Sequence, residues 1–431
     1  MLKNKAKLSL SILSIGFFCF LNLLSAAEPI TYSKENPFIL RGIRPLGMGG
    51  AGIALSDDEN AFFYNPAGVT ERKRWMLTVL NLNLTVNQDL LDSYKWLGEN
   101  ATGDGKNNGK DLDGYKDLTS EQKQKLLSDI SAKASKYNNH VMISAPNMNY
   151  ISGPIGGKTF WGIGAFDNAD VRFRLNAEKA SNGNTEPNLD IDGNVDAAGI
   201  LLLAHKFTDK FSLGVNTKFL GRSSLQERKL SVLEIDGYSP LVQFGTGVGA
   251  DLGATYKLQD NLKLGLTVSD IGGTVIKYEK VDAETTDNGT IKPGKVERQA
   301  VIYPRLNVGV AYKPLKQWFN VFFVPDVTFA MDFMDLTDSA GDGVIKDFSE
   351  FMEKTHVGTE FAWKFLALRA GVSSGYPTVG IGLSMWSLKL DYAYYTDKIT
   401  MFGNENKSEL NHTIALSWRF GTTVSRDKKK Q

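Results

Sequence analysis

The sequence NHTIALSWRF, residues 411–420, alternates between two kinds of side chain with a period of two. One face carries the large, mostly apolar side chains His412, Ile414, Leu416, Trp418 and Phe420, and the residues between them are polar, small or charged. This period predicts a β-strand whose two faces meet different environments. The same alternation recurs in three further stretches: LKLDYAYY (388–395), DVTFAMDF (326–333) and LGVNTKF (213–219).

The first 27 residues read as a secretory signal peptide. Lys3, Lys5 and Lys7 precede an apolar run from residue 8 to residue 24, and Ser25-Ala26-Ala27 offers a small-residue cleavage site. An anchoring helix is the alternative, although the run is short for one and contains Asn22. Cys19 lies inside this leader, so the mature chain has no cysteine for a disulfide, a thiol nucleophile or a metal site.

The charge of the mature chain is nearly balanced. Removing the three lysines of the leader leaves 46 basic and 48 acidic residues, which gives no reason to expect a nucleic-acid partner. The mature chain also lacks a run of about 20 apolar residues of the kind a membrane-spanning helix requires. If the protein spans a membrane, we expect it to do so with strands.

Connection lengths separate a soluble β-sandwich from an outer-membrane barrel. In a sandwich the apolar face is the core, whereas in a barrel it meets lipid and the polar face lines the lumen. Short connections at Thr208–Lys210, Gln259–Asn261 and near Lys364 alternate with long polar ones, which are residues 88–139, 177–192, 280–296 and 335–353. Fourteen candidate strands precede and follow them: 73–87, 140–151, 158–176, 193–208, 211–224, 241–258, 261–279, 297–313, 320–334, 354–364, 366–374, 377–386, 387–399 and 410–420.

The predicted fold is therefore an all-β, transmembrane antiparallel β-barrel of about 14 strands, with both termini in the periplasm and the long loops outside. One outer turn, near residues 374–377, is short and departs from this pattern, and a count of twelve or sixteen strands stays open. Tryptophans near predicted strand ends favour a girdle at the bilayer interface, although aromatic residues also simply form strands well. These are Trp75, Trp161, Trp318, Trp386 and Trp418.

The glycine-rich sequence GMGGAG, residues 47–52, has the spacing of a dinucleotide-binding fingerprint. That function needs a strand before the glycines and a helix that opens on the last of them, but Pro45 stands two residues ahead and the next helix start is Ser56. Ser56 and Glu59 form a predicted capping box, and Asp57, Asp58 and Glu59 put carboxylates where a pyrophosphate would bind. Asn65-Pro66 then ends the predicted helix. We expect these glycines to allow sharp turns and close packing instead.

The whole segment GMGGAGIALSDDENAFFYNPAGV, followed at once by the first strand, resembles the N-terminal segment of the FadL family of long-chain fatty acid transporters and its PorV-related barrels. The matching features are the glycine run, the acidic pair and the Asn-Pro-Ala sequence: Gly47, Gly49, Gly50, Ser56, Asp57, Asp58, Asn65, Pro66 and Ala67. The rest of the chain resembles that family in architecture only. The resemblance implies four regions: a signal peptide (1–27), an N-terminal hatch in the lumen (28–71), the barrel (72–420) and a basic periplasmic tail (421–431).

The function that the resemblance implies is passive transport of long-chain fatty acids or other hydrophobic compounds across the bacterial outer membrane. Substrate would be captured outside, enter the barrel and leave sideways into the membrane where the third strand is kinked. The alternative on the same scaffold is a barrel that binds protein partners or serves a secretion system. The expected surroundings are outer-membrane lipid and, during insertion, the barrel-assembly machinery, for which Phe420 is a candidate terminal aromatic.

The third candidate strand contains a sequence that suits a kink. Phe166, Asp167, Asn168 and Asp170 interrupt an apolar outward register, and Asp167 falls on the lipid-facing side near the middle of the strand. A carboxylate facing lipid is unfavourable, and Asp and Asn are poor strand residues. We predict an inward bend and a lateral opening here, with a bulge or a turn as the alternatives.

Recognition of a fatty acid needs a positive group beside an apolar channel. Arg172 and Arg174 lie on the lumen-facing register of the third strand, and Lys218 lies on that of the fifth. They are the candidates for the substrate carboxylate. The alternative is that they pair with lumen acids such as Asp332 or Asp391 and hold the barrel together.

Catalysis, cofactors and metals have little support in the sequence. The four histidines fall in separate candidate strands without the spacing of metal ligands, and G-x-S-x-G does not occur. The acid-rich stretches at 103–114 and 338–343 lack the spacing of a calcium-binding EF-hand loop. We expect a non-enzyme that has no cofactor and no metal site.

Overall fold

A computed structural model gives the structure of the chain. It describes residues 33–35, 37–38, 40–72, 75–92, 119, 121, 140–179, 185–231, 242–279, 281–287, 290–296, 299–314, 325–337, 345–401 and 405–421. The predicted signal peptide, the acid-rich stretches at 103–114 and 338–343, Trp318 and almost all of the basic tail lie outside the described residues. No helix in the described part is long and apolar enough to cross a bilayer.

Strands make up nearly all of the regular structure. The strands are β1 (Ser33–Lys34), β2 (Met76–Asn87), β3 (His140–Ser144), β4 (Asn147–Gly156), β5 (Thr159–Lys179), β6 (Thr185–Lys206), β7 (Phe211–Ser231), β8 (Val242–Gln259), β9 (Leu262–Ser269), β10 (Thr274–Tyr278), β11 (Val281–Asp287), β12 (Thr290–Val296), β13 (Gln299–Ile302), β14 (Arg305–Tyr312), β15 (Asp326–Phe333), β16 (Thr355–Ala362), β17 (Leu366–Ser373), β18 (Tyr376–Met385), β19 (Leu388–Met401) and β20 (Glu405–Gly421). The helices are short: α1 (Ile43–Gly47), α2 (Phe348–Glu353) and two 3₁₀ helices, η1 (Glu59–Phe62) and η2 (Pro66–Glu71).

The wall is a closed barrel of 14 antiparallel strands, in which β3 and β4 together form the second. Neighbours in sequence pair around the wall, with β9 pairing to β14, and the last strand β20 pairs with the first strand β2 from Met76–Gly421 to Asn87–Asn411. The predicted fold class and strand count are confirmed.

The two faces of β20 meet the environments expected for a barrel in a membrane. Ile414 is 54% exposed and Leu416 is 42% exposed, whereas Thr413 and Ser417 between them are buried. A soluble sandwich would bury the apolar face and expose the polar one. The arrangement seen here, apolar outside and polar inside, is that of a bacterial outer-membrane barrel.

The wall is taller on one side than on the other. Strands β5, β6 and β7 have 21, 22 and 21 residues, whereas β14 to β17 have 8 each. Tight turns such as Trp386–Ser387 lie at one end of the barrel, and the long connections lie at the other. The short turn at Ser374–Gly375, at the long-connection end, matches the exception seen in the sequence. Below, the two ends are called the tight-turn end and the long-loop end.

The β5–β6 ladder runs without a break from Thr159–His205 to Lys179–Thr185, so the wall is closed on the β6 side of Phe166 to Asp170. The lateral opening predicted beside these residues stays a proposal. Asp167 does point outward, as expected, but its carboxylate accepts a hydrogen bond of 2.7 Å from the side chain of Asn147, and this bond reduces the cost of exposing it. The neighbouring Asn168 side chain is bonded to Ser144 at 2.8 Å.

An interruption lies in the second wall strand, opposite Asn168 and Ala169 of β5. Between β3 and β4, Ala145 and Pro146 leave the regular ladder with β5, and only the Ala145 N–H still donates to a β5 carbonyl, that of Ala169. Pro146 has no N–H to donate, which removes a ladder bond. The Asn83 side chain of β2 donates to the Pro146 carbonyl at 2.6 Å and holds this point of the wall.

A second departure from a regular wall occurs where β9 continues into β10 and β13 into β14. The strand β10 pairs with β8 and with β13, and β13 pairs in parallel with β1, the first described strand. The two ends of the described chain therefore lie far apart: Gly421 is beside Met76 at the tight-turn end, while Ser33 is beside Ala300 toward the long-loop end. The side of the membrane on which each terminus lies stays a prediction.

Candidate functional site: the lumen and the segment that fills it

The described residues among 35–72, called here the N-terminal segment, lie inside the barrel. Their apolar side chains are buried, with Met48, Phe62 and Val69 each 0% exposed. Phe62 packs on Tyr150 and Phe166 of the wall, with ring centroids 5.3 and 5.0 Å apart. The segment therefore fills the lumen at the level of the short strands.

The local structure of the segment differs from the sequence prediction at two points. The first turn of η1 is capped by Asp58, whose carboxylate accepts from the Asn60 N–H at 3.0 Å. Ser56 does not cap a helix, because its hydroxyl donates to the Gly52 carbonyl at 2.7 Å. Asn65 begins the helix η2 rather than ending one, with Pro66 in the first helical position.

Asn65 joins the segment to itself and to the wall. Its side-chain oxygen accepts from the Ala67 N–H at 3.1 Å, and its side-chain amide donates to the carbonyls of Ile53 and Ala254, each at 3.0 Å. It is 0% exposed. A buried amide with these partners is costly to replace, because the loss of the side chain leaves backbone groups unpaired.

The glycine run is in close contact with the wall. Gly49 has a φ of +67°, a conformation that side chains rarely adopt, and its carbonyl accepts from His356 Nδ1 at 2.7 Å. On the wall opposite, a Cβ on Gly358 would stand 2.6 Å from the Met48 carbonyl carbon. Nearby, Asp332 accepts from the backbone N–H groups of Gly52 and Ile53, at 2.5 and 2.8 Å. Backbone thus packs on backbone, and these glycines bind no phosphate in this arrangement.

A chain of ion pairs runs from the segment into the wall. Arg44 contacts Asp57 at 2.9 Å within the segment and Glu360 of β16 at 3.0 Å. Glu360 in turn pairs with Arg369 of β17 at 2.8 Å, and Arg369 pairs with Asp391 of β19 at 3.0 Å. All five side chains are largely buried.

Two further ion pairs bind the segment to the last strands. Glu59 pairs with Arg419 of β20 at 2.8 Å, and Arg41 pairs with Asp397 of β19. Together with the Arg44 chain, these contacts attach the segment to β16, β17, β19 and β20. They pair buried charges, which would otherwise be costly in the lumen.

The acidic residues that the sequence singled out differ in protonation behaviour. Burial tends to raise the pKa of Asp57, but the Arg44 guanidinium lowers it well below the ordinary range. The pKa of Asp58 is raised, by burial and by the neighbouring charge of Glu59. The pKa of Glu59 is lowered because Arg419 outweighs its burial. Asp57 and Glu59 therefore act as counter-ions, whereas Asp58 acts mainly as a helix cap.

The lumen is apolar on one side and polar on the other. The inner faces of β5, β6 and β7 carry Phe166, Ala198, Ile200 and Leu220, called here the apolar wall patch, and all four are at most 7% exposed. The inner faces of β2 and β14 to β20 are polar or charged. Their buried residues include Thr78, Asn81, Asn83, Thr85, Asn307, Thr328, Asp332, His356, Glu360, Arg369, Thr378, Asp391, Asn411 and Thr413. An apolar face inside a barrel is unusual, since barrel interiors are ordinarily polar.

Arg172 and Arg174, predicted to receive a substrate carboxylate, are paired with carboxylates of the protein. Arg172 contacts Asp170 and, at 3.3 Å, Glu409 of β20. Arg174 contacts Asp190 of β6 at 2.7 Å. Both arginines lie toward the long-loop end of the lumen, where Arg172 connects β5 to β20 and Arg174 connects β5 to β6.

Lys218 is likewise engaged. Its ammonium lies 2.8 Å from Asp251 and 2.7 Å from Asp270, and the side chain is 5% exposed. The sequence alternative of structural pairing fits this geometry, although the partners are not Asp332 or Asp391 as suggested. A role for these three cations in substrate recognition therefore stays a proposal.

The apolar wall patch was missed in the sequence, although a signal for it exists. The stretch AAGILLLA, residues 197–204, is apolar on both faces instead of alternating. A strand of this kind is buried on both sides, here by lipid outside and by protein inside. Arg72 was missed as well: it is buried and lies over the Tyr150 ring, 5.4 Å from its centroid. Within the described residues no group of three His, Cys, Asp or Glu side chains could hold a metal ion.

Comparison with known proteins gives the chain a family. The model of a family of unknown function (DUF5723) matches residues 115–340, just over half of the 431 residues. The chain belongs to this family. The match covers the wall from the long connection before β3 to the end of β15. No curated protein matches the DUF5723 chain in sequence.

Solved structures share the fold of this DUF5723 barrel. The Pseudomonas putida toluene transporter TodX is 12% identical with a TM-score of 0.50, and the alignment covers 90% of this chain and 100% of TodX. A FadL homologue from Pseudomonas aeruginosa is also 12% identical with a TM-score of 0.50, covering 89% of this chain and 99% of the homologue. The resemblance to FadL-like barrels is thus confirmed at the level of the fold.

Proposed function

We propose that this barrel is a passive outer-membrane transporter of hydrophobic compounds. The observation that carries the proposal is the apolar wall patch on the lumen side of β5 to β7. Apolar molecules dissolve poorly in water and gain free energy when they contact such a surface, so no energy source is needed for their entry. Similarly folded barrels are described as transporters of toluene, which supports a small hydrophobic cargo.

The N-terminal segment takes the role of a hatch in this proposal. It fills the lumen where the wall is shortest. Ion pairs attach it to the wall, as do hydrogen bonds from its backbone, such as the one that the Gly52 N–H donates to the Asp332 carboxylate. A cavity in this segment, between Arg44, Met48 and Asp58, holds about 10 Å³, roughly the volume of one water probe. A transport event therefore requires local rearrangement of the segment rather than flow through an open pore.

The chemical class of the cargo follows from the charges beside the patch. Lys218 and Arg222 both lie close to it, and carboxylates of the protein occupy both, Asp251 and Asp270 for the first and Asp196 for the second. A long-chain fatty acid would have to displace one of these partners. Neutral hydrophobic molecules need no such exchange, and we favour them over fatty acids as the cargo.

We further propose that the cargo leaves the barrel sideways, into the membrane. We place this exit at Ala145–Pro146, where the ladder between the second wall strand and β5 loses regular bonds. The site adjoins the apolar wall patch, because Met148 pairs with Phe166 in the ladder and is 1% exposed. A hydrophobic molecule on the patch would thus reach lipid through a part of the wall where the ladder is interrupted.

The proposed function also fixes an orientation of the barrel in the outer membrane. The long-loop end faces outward and the tight-turn end faces the periplasm, as in other bacterial barrels. In this orientation the described N-terminal end lies inside the lumen toward the outer face, and the C-terminal end is periplasmic. Phe420, 43% exposed at the end of β20, is the residue that we expect the barrel-assembly machinery to read.

Uptake by cells tests the function directly. Cells that lack their own transporter would receive the wild-type chain, an inner-patch variant Leu220→Asn, or Thr85→Asn on the polar side of the lumen as the matched control. We expect wild type and Thr85→Asn to restore uptake of labelled toluene and Leu220→Asn to reduce it several-fold. Correctly inserted wild type that restores uptake of neither toluene nor oleate would contradict the proposal and favour a protein-binding role.

A further inference from the structure

On one side of the barrel the wall is too short to cover a bilayer with strands alone. Strands β14 to β17 have 8 residues each and β18 has 10, and these five strands are called here the short side. An eight-residue strand is about 27 Å long and, at the usual tilt of about 40°, rises about 20 Å. The apolar band of outer-membrane barrels is about 25 Å tall. Other residues must therefore complete the apolar band on this side, or the bilayer must become thinner.

At the tight-turn end, the short side ends in two apolar turns. Phe365 lies in the turn between β16 and β17, and Met385 and Trp386 lie at the turn between β18 and β19. All three are exposed, Trp386 at 98%. The two turns are adjacent, because the Ser384 N–H donates to the Phe365 carbonyl at 2.8 Å. Trp386 has a φ of +51°, which bulky residues rarely adopt, so the turn itself does not favour a tryptophan at this position.

The tight turns below the tall strands have a different composition. Thr208–Lys210 forms the tip between β6 and β7, and Asp260–Asn261 forms the tip between β8 and β9. Both tips are polar. The apolar residue that precedes the first tip, Phe207, packs back on Phe211 of the same hairpin, with ring centroids 6.1 Å apart. Apolar tips are therefore a feature of the short side and not of the whole tight-turn end.

At the long-loop end, the helix α2 lies on the outer face of the short side. Its Phe351 ring stacks on Phe333 of β15, with centroids 5.0 Å apart. Phe333 faces outward, because Asp332 beside it faces the lumen and accepts from the backbone of the N-terminal segment. At the end of the helix, Glu353 pairs with Lys398 of β19. The helix therefore crosses the long-loop ends of the short strands from β15 to β19.

The exposed side chains of α2 continue the lipid-facing surface of the wall. Phe348 is 75% exposed and Met352 is also exposed, and both lie on the same helix face as Phe351. Exposed apolar residues of the short strands connect this face to the two apolar turns. They include Val357, Leu368, Val372, Ile381 and Leu383. The helix face, the strands and the turns thus form one continuous apolar surface.

We propose that helix α2 and the two apolar turns are membrane-contact elements, which complete the apolar band of the barrel at both ends of the short side. Phe348 and Met352 lie in the interfacial layer of the leaflet at the long-loop end, and Phe365, Met385 and Trp386 lie in that of the opposite leaflet. Aromatic side chains favour this layer. The partner of this surface is the bilayer and not another protein. The inference goes beyond the proposed function, since neither the strand heights nor the apolar ends depend on a cargo.

Fluorophore depth tests the two ends separately. The mature chain has no cysteine, so Phe348→Cys and Trp386→Cys each accept a single NBD label, and Asp209→Cys is the control in a polar turn. The labelled proteins are folded into phosphatidylcholine vesicles with and without doxyl-labelled lipid, whose nitroxide quenches fluorophores within the membrane. We expect at least twofold quenching at positions 348 and 386 and almost none at position 209. Quenching at position 348 or 386 that is no stronger than at position 209 would overturn the proposal, and it is the result expected of a surface that binds a protein in water.

Bilayer thickness gives an independent test. Phe348→Asn/Trp386→Asn removes one apolar side chain at each end of the short side and leaves the packing of α2 on β15 intact. Asparagine accepts a positive φ more readily than tryptophan, so the change does not strain the turn. Urea unfolding is measured in thin dilauroyl and thick dioleoyl phosphatidylcholine vesicles. We expect the variant to lose stability in the thick bilayer and little or none in the thin one. The matched control, Asp209→Asn/Asp260→Asn, should behave alike in both, and equal losses of the first variant in both bilayers would overturn the proposal.

Both measurements are independent of transport, because they use the barrel in vesicles without any cargo. If wild type restores no toluene uptake but the labels are quenched, the transporter is wrong and the membrane contacts stand. If the labels are not quenched but uptake is restored, the membrane contacts are wrong and the transporter stands.

Discussion

Arg44 of the N-terminal segment and Glu360 of wall strand β16 form an ion pair across 3.0 Å, although 316 residues separate them in sequence. The pair is buried on both sides, with 15% and 8% of the side chains exposed. Burial alone would lower the pKa of Arg44, but the carboxylates of Glu360, Asp57 and Asp58 outweigh it and raise this pKa above its ordinary value. The attachment of the segment can therefore be tested at one residue.

Loss of Arg44 should loosen the segment. In Arg44→Ala, Asp57 loses a buried counter-ion, which we expect to cost about 3 kcal/mol. The measurement is urea unfolding in vesicles, combined with protease sensitivity of the segment. Lys398→Ala is the control, because its pair with Glu353 is about half exposed and should contribute less than about 1 kcal/mol. Equal stability of the two variants would show that the Arg44 pairs do not hold the segment.

Asp57 and Asp58 should respond differently to neutralisation. Asp57→Asn removes the charge that pairs with Arg44 and should lower the unfolding free energy by about 1–2 kcal/mol at neutral pH. Asp58→Asn keeps the oxygen that caps η1 and removes a charge whose burial is unfavourable, so we expect no loss or a small gain.

The pH dependence of the two variants should also have opposite signs. The folded pKa of Asp57 is lowered, so the advantage of wild type over Asp57→Asn should begin to shrink below the ordinary aspartate pKa of about 4 and be lost only as the pH falls through the lowered folded pKa. The folded pKa of Asp58 is raised, so the charged form costs stability at neutral pH, and this cost should fade as the pH falls. Parallel curves for both variants would refute the assignment.

Stability should depend on both the oxygen and the NH2 group of the Asn65 side chain. Asn65→Ala loses the cap of η2 and leaves the Ile53 and Ala254 carbonyls without their donor, at a cost of about 2–3 kcal/mol. Asn65→Asp keeps the capping oxygen but cannot donate. Thermal unfolding in detergent should find the aspartate variant less stable than wild type. An aspartate variant as stable as wild type would show that the cap alone matters.

Close packing of the segment on the wall can be tested with two glycines. Gly358→Ala places a Cβ against the Met48 backbone, which cannot move as a side chain could, and should cost about 1–3 kcal/mol. Gly199→Ala is the matched control, because its Cβ would meet nothing within 4 Å on the outer face of β6. We expect only the first variant to make the N-terminal segment accessible to protease, and protection in both would argue against backbone contact.

The lipid face can be tested at Leu416. This residue is 42% exposed in the middle part of β20, and Leu416→Arg should destabilise the barrel in a bilayer by about 2–4 kcal/mol. Phe365→Arg, in a tight turn and 63% exposed, should cost no more than about 1 kcal/mol. Folding into vesicles under urea measures both. A larger effect at Phe365 would place the membrane elsewhere on the wall.

The wall could be predicted from the sequence because the residue pattern of each strand depends on the environments of its own two faces. The alternation at Ile414 and Leu416 requires two environments whatever lies across the lumen, and each of the fourteen candidate strands overlaps one strand of the wall. The breaks were harder to find. Considered alone, the Asp167 carboxylate is unfavourable on the lipid-facing side of β5. In the structure the Asn147 side chain on the neighbouring strand donates a hydrogen bond to it. The true interruption carries a proline, Pro146, which is a local signal that could have identified it.

The interior was less predictable because its contacts are set by closure of the barrel. Arg41 and Asp397 are 356 residues apart, and no local pattern indicates that they meet. The predicted cap at Ser56 failed for a related reason: the chain turns back there, and the hydroxyl bonds to Gly52 instead.

The attachment of the N-terminal segment to β16, β17, β19 and β20 has a consequence for biogenesis. The part of the chain that is synthesised first makes its ion pairs with strands that are synthesised last, so it cannot reach its final position until most of the wall exists. Loops of this length are slow to close, because chain entropy must be lost before the contacts form. Two orders of assembly are therefore open: the seam between β2 and β20 closes around the N-terminal segment, or the segment enters the lumen after the seam has closed.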